Sequence, residues 1–211
     1  MAIEREIKLA LPRDQVDAAL RWFETRAGAP GRDVHLENVY FDTPALALAR
    51  AKSALRLRRT PDGWLQTFKS VGVAKNGLHE RHEWEMPVAG EALEIGRLLH
   101  ECDEAGVATA LSGAATDLIP LFRTDFTRTL WTFDVDGARV EASVDLGEVV
   151  AEVNGANPET RRAPICEIEL ELKDGDEAAL HTLAAELARA LPGLTPDDVS
   201  KAQRGYRLRE A

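Results

Sequence analysis

Charged residues recur at every second position in two runs, Ile3-Glu4-Arg5-Glu6-Ile7-Lys8-Leu9 and Cys166-Glu167-Ile168-Glu169-Leu170-Glu171-Leu172. A strand sends successive side chains to opposite faces, so Glu4, Glu6 and Lys8 share one face and Glu167, Glu169 and Glu171 share another. Clustered carboxylates supply hard oxygen ligands for Mg²⁺ or Mn²⁺. Basic residues with apolar strand neighbours (Lys8, Arg56, Arg58, Lys69, Arg81, Arg123 and Arg128) suit a compact polyanion such as a phosphate chain. Divalent metal beside phosphate oxygens and basic side chains is the equipment of phosphoryl transfer or hydrolysis. A single strand with a charged face ordinarily turns it to water. Here nearly every strand carries both signs of charge on one face, with Glu83, Glu85, Glu141 and Asp145 completing the acidic set. Such faces can converge inside a closed sheet, where a polyanion, metal and water would compensate the buried charge. The acid-x-acid-x-base triad is weak evidence alone, because Glu169-x-Glu171-x-Lys173 matches it as well as Glu4-x-Glu6-x-Lys8.

The elements that must position these residues are legible from period. Val16, Ala19, Leu20 and Phe23 mark an amphipathic helix over Arg13 to Arg26, ending near Gly28. Strands are expected over Asp33 to Asp42, Ser53 to Arg59, Trp64 to Lys69 and Arg81 to Glu85, with Pro61-Asp62-Gly63 as a hairpin turn and Ser70 to Gly77 as a loop. Glu91 to Cys102 reads as helix. Leu121 to Val135 reads as one long strand or two, turning at Asp136-Gly137 into Arg139 to Asp145. Val153 to Ala163 reads as a loop before the Glu167 strand. Leu180, Leu183, Ala184, Leu187 and Leu191 mark a second amphipathic helix, and Thr195-Pro196-Asp197-Asp198 opens a short last one. About eight strands without repeated βα alternation argue against a doubly wound sheet, and antiparallel hairpins of this number can close into a barrel.

Bulk properties narrow the function classes. The 211 residues fit one domain, 1–211, and 45% hydrophobic with 29% charged residues describes an ordinary globule. No apolar run approaches a membrane span, and Cys102 and Cys166 form no metal-binding spacing, so a cytoplasmic protein without a membrane partner is expected. The net charge of -10 argues against a nucleic-acid partner. The five histidines show no clustering, and no GxxxxGK[ST] loop is present.

The extreme N-terminal Glu4-x-Glu6-x-Lys8 strand resembles the signature of the CYTH superfamily, the triphosphate tunnel metalloenzymes. Tyr40-Phe41-Asp42-Thr43, Leu55-Arg56-Leu57-Arg58-Arg59, Thr67-Phe68-Lys69, Glu80 to Glu85, Phe126-Thr127-Arg128, Cys166 to Glu171 and Ser200-Lys201 look like family blocks in family order, covering essentially the whole chain. Gly77-Leu78-His79, Glu83-Trp84-Glu85, Pro164 to Lys173 and Arg204-Gly205-Tyr206 look most like the bacterial inorganic triphosphatases, many of which carry a CHAD helical domain not found within these residues. The resemblance implies an α+β fold, an eight-stranded antiparallel β-barrel forming a charged tunnel flanked by amphipathic helices. It implies a divalent metal, Mg²⁺ or Mn²⁺, and a small-molecule triphosphate substrate. Carried over position by position, Glu4, Glu6, Glu167 and Glu169 would ligate metal with help from Asp145 and Glu85. Lys8, Arg56, Arg58, Lys69, Arg128 and Lys201, with Arg81 and Arg123, would hold phosphate. Glu167, Glu169 and Lys8 would be catalytic, a glutamate of the 167–169 pair taking the proton of the attacking water. The reaction implied is hydrolysis of inorganic triphosphate to phosphate and pyrophosphate. A class IV-type adenylyl cyclase, a thiamine or nucleoside triphosphatase, and a non-catalytic polyphosphate-binding module are the rival readings. The last would gain nothing from so many glutamates beside its anion unless metal intervenes.

Overall fold

A computed structural model describes residues 2–153 and 158–210, with the side chains of residues 2 and 71 left out. Eight long strands pair antiparallel: β1 (Ala2–Ala10), β2 (Arg32–Asp42), β3 (Ala54–Thr60), β4 (Gly63–Lys75), β5 (Leu78–Val88), β6 (Ile119–Val135), β7 (Ala138–Val153) and β8 (Glu159–Asp174). Their order β5-β4-β3-β2-β6-β7-β8-β1 is closed by pairing of β1 with β5, giving an eight-stranded barrel. Closure removes every long sheet edge. A two-residue strand, β9 (Thr195–Pro196), adds to β1. The β4–β5 and β6–β7 hairpins turn at Asn76-Gly77 and Asp136-Gly137, where both residues of each pair have positive φ. Two successive positive φ values are what a two-residue turn matched to strand twist requires.

Helices cover the barrel from outside. α1 (Val16–Ala27) and α5 (Ala178–Ala190) pack on β1, β6, β7 and β8, burying Phe23, Leu180, Leu183 and Leu187 against Trp131, Val144, Ile168 and Leu170. Around β3, β4 and β5, α2 (Ala47–Arg50), α3 (Ile95–Glu101) and α4 (Ala105–Ala114) bury Leu48, Leu98 and Leu111 against Leu55, Phe68 and Trp84. No helix among the described residues is long and apolar enough to cross a membrane.

Several boundaries differ from the sequence reading. The expected loop Ser70 to Gly77 is mostly strand, because β4 continues to Lys75 past a register shift between Lys69 and Gly72. Residues 154–157 of the expected Val153–Ala163 loop lie outside the described residues, and Glu159 to Ala163 are already paired in β8. The helix expected from Glu91 begins only at Ile95, and α4 was not anticipated. Thr195-Pro196 is strand rather than the start of the last helix, α6 (Lys201–Glu210). That helix is capped at Ser200: the Gln203 side chain accepts from the Ser200 N–H at 2.8 Å, and the Ser200 hydroxyl accepts from the Gln203 N–H at 3.2 Å. This reciprocal pair is a capping box, which a Thr-Pro start would have lacked.

The barrel interior has two parts. At one end Leu36, Tyr40, Phe122, Phe126, Val149, Ala151 and Ile165 form an apolar floor, and Ala202, Tyr206 and Leu208 of α6 pack against it. Beyond that floor the inward positions become charged.

Candidate active site

A cavity of about 1530 Å³ fills the charged end of the barrel. Its walls follow from period two. Glu4, Glu6 and Lys8 line it from β1, Arg56 and Arg58 from β3, Lys69 from β4, Arg81, Glu83 and Glu85 from β5, Arg128 from β6, and Glu169 and Glu171 from β8. Their strand neighbours Leu55, Phe68, Trp84, Ile168 and Leu170 are buried in the opposite direction, under the helices. Cross-strand register sets opposite charges side by side: Glu4 faces Arg81, Lys69 faces Glu83, Lys8 faces Glu169, and Arg128 faces Asp145. It also sets two carboxylates together, Asp145 facing Glu167.

Two acidic centres result. At the first, oxygens of Asp145, Glu167 and Glu169 lie within 4.8 Å of one another. Asp145 and Glu167 are fully buried. The Lys201 ammonium reaches down from α6 to Asp145 at 2.6 Å and Glu169 at 2.9 Å, and also pairs with Glu167. Arg128 holds Asp145 through two hydrogen bonds, at 2.8 and 2.7 Å, and pairs with Glu169, which Lys8 also contacts. Arg204 ion-pairs with Glu167 Oε2. At the second centre Lys69 donates to both Glu4 oxygens at 2.8 Å, Arg81 Nε donates to Glu4 at 2.7 Å, and Arg81 also reaches Glu6 at 2.8 Å. Lys8 stands 3.1 Å from Glu6 and so bridges the two centres.

The charge states follow from these contacts. Burial works against ionised Glu169, but Lys201, Lys8 and Arg128 outweigh it and hold the carboxyl far below the usual range. Lys69 and Arg81 do the same for Glu4 against its burial. Arg58 behaves differently. Its Nε donates to Asn38 Oδ1 at 2.7 Å, and the Asn38 amide is itself fixed by donating to Thr124 at 2.9 Å. Among the described residues Arg58 has no carboxylate in ion-pairing distance, whereas the other cations lining the cavity from the strands are paired. Burial, with Arg56 and Arg128 nearby, pulls its guanidinium down to about 10. Burial raises the Tyr40 phenol, yet Arg56, Arg58, Lys201 and Lys69 bring it below its ordinary value. The neighbouring cations thus push both groups down, adding to burial at Arg58 and opposing it at Tyr40.

The sequence-derived set is therefore largely brought together: Lys8, Arg56, Arg58, Lys69, Arg81, Arg128, Lys201, Glu4, Glu6 and Glu169 line the cavity, with Asp145 and Glu167 in contact from behind. Arg123 is not among them. It is exposed and absent from the lining, because it lies five residues from Arg128 on one strand and so on the opposite face. Glu85 lines the cavity but stands outside the carboxylate group, accepting from Thr67 at 2.7 Å and lying 3.4 Å from Arg56. The sequence reading gave no role to Asn38, Tyr40 or Arg204. Asn38 and Tyr40 share the inward parity of β2, and Arg204 lies one turn after Lys201, so the same periodic argument could have found them.

The donor set suits a hard divalent cation: three convergent carboxylates, with an ammonium already drawn into the group. The CYTH domain model matches residues 2–206. An inorganic triphosphatase from Haemophilus influenzae is 30% identical over 180 residues, 84% of this chain and 47% of that protein, so the chain spans about half the length of this relative. Two solved structures share the fold at low identity. One is a Hippeastrum protein named as an adenylyl cyclase and reported to have a dominant triphosphatase activity (TM-score 0.59, 20% identity, 97% and 95% of the two chains covered). The other is a Bacillus halodurans protein named as an adenylate cyclase (TM-score 0.61, 16% identity, 97% and 98% covered). With an eight-stranded charged barrel and a family match running almost end to end, the chain belongs to the CYTH domain family.

Proposed function

We propose that this protein hydrolyses inorganic triphosphate to phosphate and pyrophosphate within the barrel cavity. The observation that carries the reading is Arg58, a cavity cation with no carboxylate of its own, set in a positive field beside a group of carboxylates. An anion placed there would gain Arg58, Arg56 and Arg128 at once. A neighbouring carboxylate group would repel that anion unless a cation lay between them.

A divalent cation held by Asp145, Glu167 and Glu169, with Glu4 and Glu6 of the second acidic centre nearby, would neutralise phosphate oxygens as a Lewis acid. The chain's own groups do the rest. Arg56, Arg58, Lys69, Arg81 and Arg128 orient the phosphate chain and stabilise the departing pyrophosphate. Glu169 takes a proton from water as its oxygen bonds to the terminal phosphorus and the bridging P–O bond breaks. In the free protein three cations make Glu169 a weak base. Phosphate oxygens that attract Lys8, Lys201 and Arg128 weaken that hold. Lys8, bridging both acidic centres, orients Glu169.

The test is phosphate release from tripolyphosphate, ATP and thiamine triphosphate, each with Mg²⁺, Mn²⁺ or chelator. Fast metal-dependent release from tripolyphosphate with slower ATP turnover is expected. Cyclic AMP from ATP would point to a cyclase, and tight metal-free binding without turnover to a binding module. Glu169→Gln should lower kcat by about 10²–10⁴-fold while retaining substrate binding. Surviving turnover would remove Glu169 as the base.

A further inference from the structure

Lys201 and Arg204 are the cations that reach the carboxylate group from a helix, and Lys201 touches all three of its members. The position of Lys201 depends on how deeply α6 seats against the barrel floor. Two contacts on the next turn fix that depth. Gly205, one turn after Lys201 on the same helix face, is buried against Phe122. A Cβ at Gly205 would lie 2.1 Å from Phe122 Cε2 and 2.2 Å from Cδ2. The ring has little freedom to withdraw: Phe122 is 4% exposed, stacked on Tyr40 at 4.7 Å and edge-on to Tyr206 at 5.1 Å. The second contact is Tyr206, whose hydroxyl donates to Asp42 Oδ2 at 3.0 Å. Asp42 is fully buried and also accepts backbone N–H groups of Thr43, Leu48 and Ala49 at 2.7–2.8 Å. It is thus a fixed post, held by Thr43 and by α2 itself whether or not Tyr206 is present.

The geometry points to Gly205 and Tyr206 as positioning residues that set the depth of Lys201. Gly205 permits the close approach of α6 to Phe122, and Tyr206 latches the helix to Asp42. The inference rests on reading Lys201 as a site cation, and its test does not need turnover. Lysine acetylation by acetic anhydride, followed by peptide mass spectrometry with chelator present, reads each amine separately. In the wild type Lys201, 7% exposed, and Lys8, 3% exposed, should both react slowly. Tyr206→Phe removes one hydroxyl and leaves the three backbone donors of Asp42, and Lys201 labelling should rise about five-fold. Gly205→Ala should raise it about ten-fold or more. Adding Phe122→Leu to Gly205→Ala should restore much of the protection by making room. Lys8 should stay protected throughout, because it belongs to the barrel wall. Unchanged Lys201 labelling in both single variants would overturn the assignment. So would equal gains at Lys8, which would mean that the whole barrel loosens. Failure of wild-type phosphate release would count against the hydrolase reading while leaving this measurement intact.

Discussion

The two ends of the barrel interior are built from the same strands and differ almost completely in chemistry. On β6 the inward residues are Phe122 and Phe126, then Arg128; on β8 they are Ile165, then Glu167 and Glu169; on β7 they are Ala151 and Val149, then Asp145. The change occurs within one strand repeat. Lys201 marks the border, its ammonium 4.9 Å from the Phe126 ring centroid while contacting Asp145 and Glu169. The apolar end is held by packing, which offers no ligand to an ion. The charged end is held by a balance of ions, which any added ion can shift.

That difference can be broken directly. Lys201→Ala and Phe126→Ala remove neighbouring groups from opposite sides of the border. Loss of Lys201 leaves buried carboxylates short of a counter-charge and should cost about 3–5 kcal/mol in urea unfolding. Loss of the fully buried ring should cost about 3–5 kcal/mol by leaving a cavity. Added Mg²⁺ should raise the stability of both variants, because a cation bound by the native carboxylates favours the folded state, and should do so more for Lys201→Ala, whose carboxylates lack a counter-charge. Equal responses to Mg²⁺ in both variants would erase the distinction.

Arg58 and Arg123 sharpen it next. Arg58→Ala should raise KM for tripolyphosphate about 10–100-fold, the value of a charge-assisted hydrogen bond. Arg123→Ala, on the outer face, should change KM not at all and stability by less than about 0.5 kcal/mol. A KM effect at Arg123 would overturn the parity argument.

The smallest effect concerns His79, at the edge of the cavity. Burial, with the Lys8 charge adding to it, depresses the imidazole below its ordinary 6.5 despite a hydrogen-bond contact of 2.9 Å to the Asp197 carbonyl. The unfolded chain therefore binds more protons than the folded one below about pH 6.5, and the wild type should lose stability relative to His79→Gln as pH falls through that window. The difference should be flat above it. Denaturant titrations at several pH values would reveal the reverse trend if His79 were charged in the folded state.

The charged half of the interior was legible in the sequence because period two exposes it: a glutamate between two aliphatics declares a face. The apolar half was not, since Phe122 or Ile165 facing inward reads like any residue packed under a helix. Parity also explains the fate of Arg123, grouped with Arg128 by residue type although the odd spacing separates them. α4, Ala-Gly-Val-Ala-Thr-Ala-Leu-Ser-Gly-Ala, has no polar stripe for a periodic argument to find. The start of α6 was misread because Thr195-Pro196 has the composition of a helix start, while Ser200 and Gln203 supply the actual cap. Lys201 came only from family likeness, since nothing in a helical spacing says that its ammonium enters a barrel.

Closure through β1 has a consequence for how the protein is made. Lys8 and Glu169 are 161 positions apart, and Lys201 meets Asp145 across 56. During synthesis the strand bearing Glu4, Glu6 and Lys8 emerges early, and then waits for β8 before its second edge can be covered. An intermediate short of β8 can already pair Glu4 with Lys69 and Arg81, but it lacks Glu167 and Glu169, so the Asp145 carboxylate group cannot assemble until the last long strand docks. Ring closure of that length is slow and comes late. Competence for chemistry should therefore appear all at once, at the step that seals the cylinder, and not accumulate strand by strand.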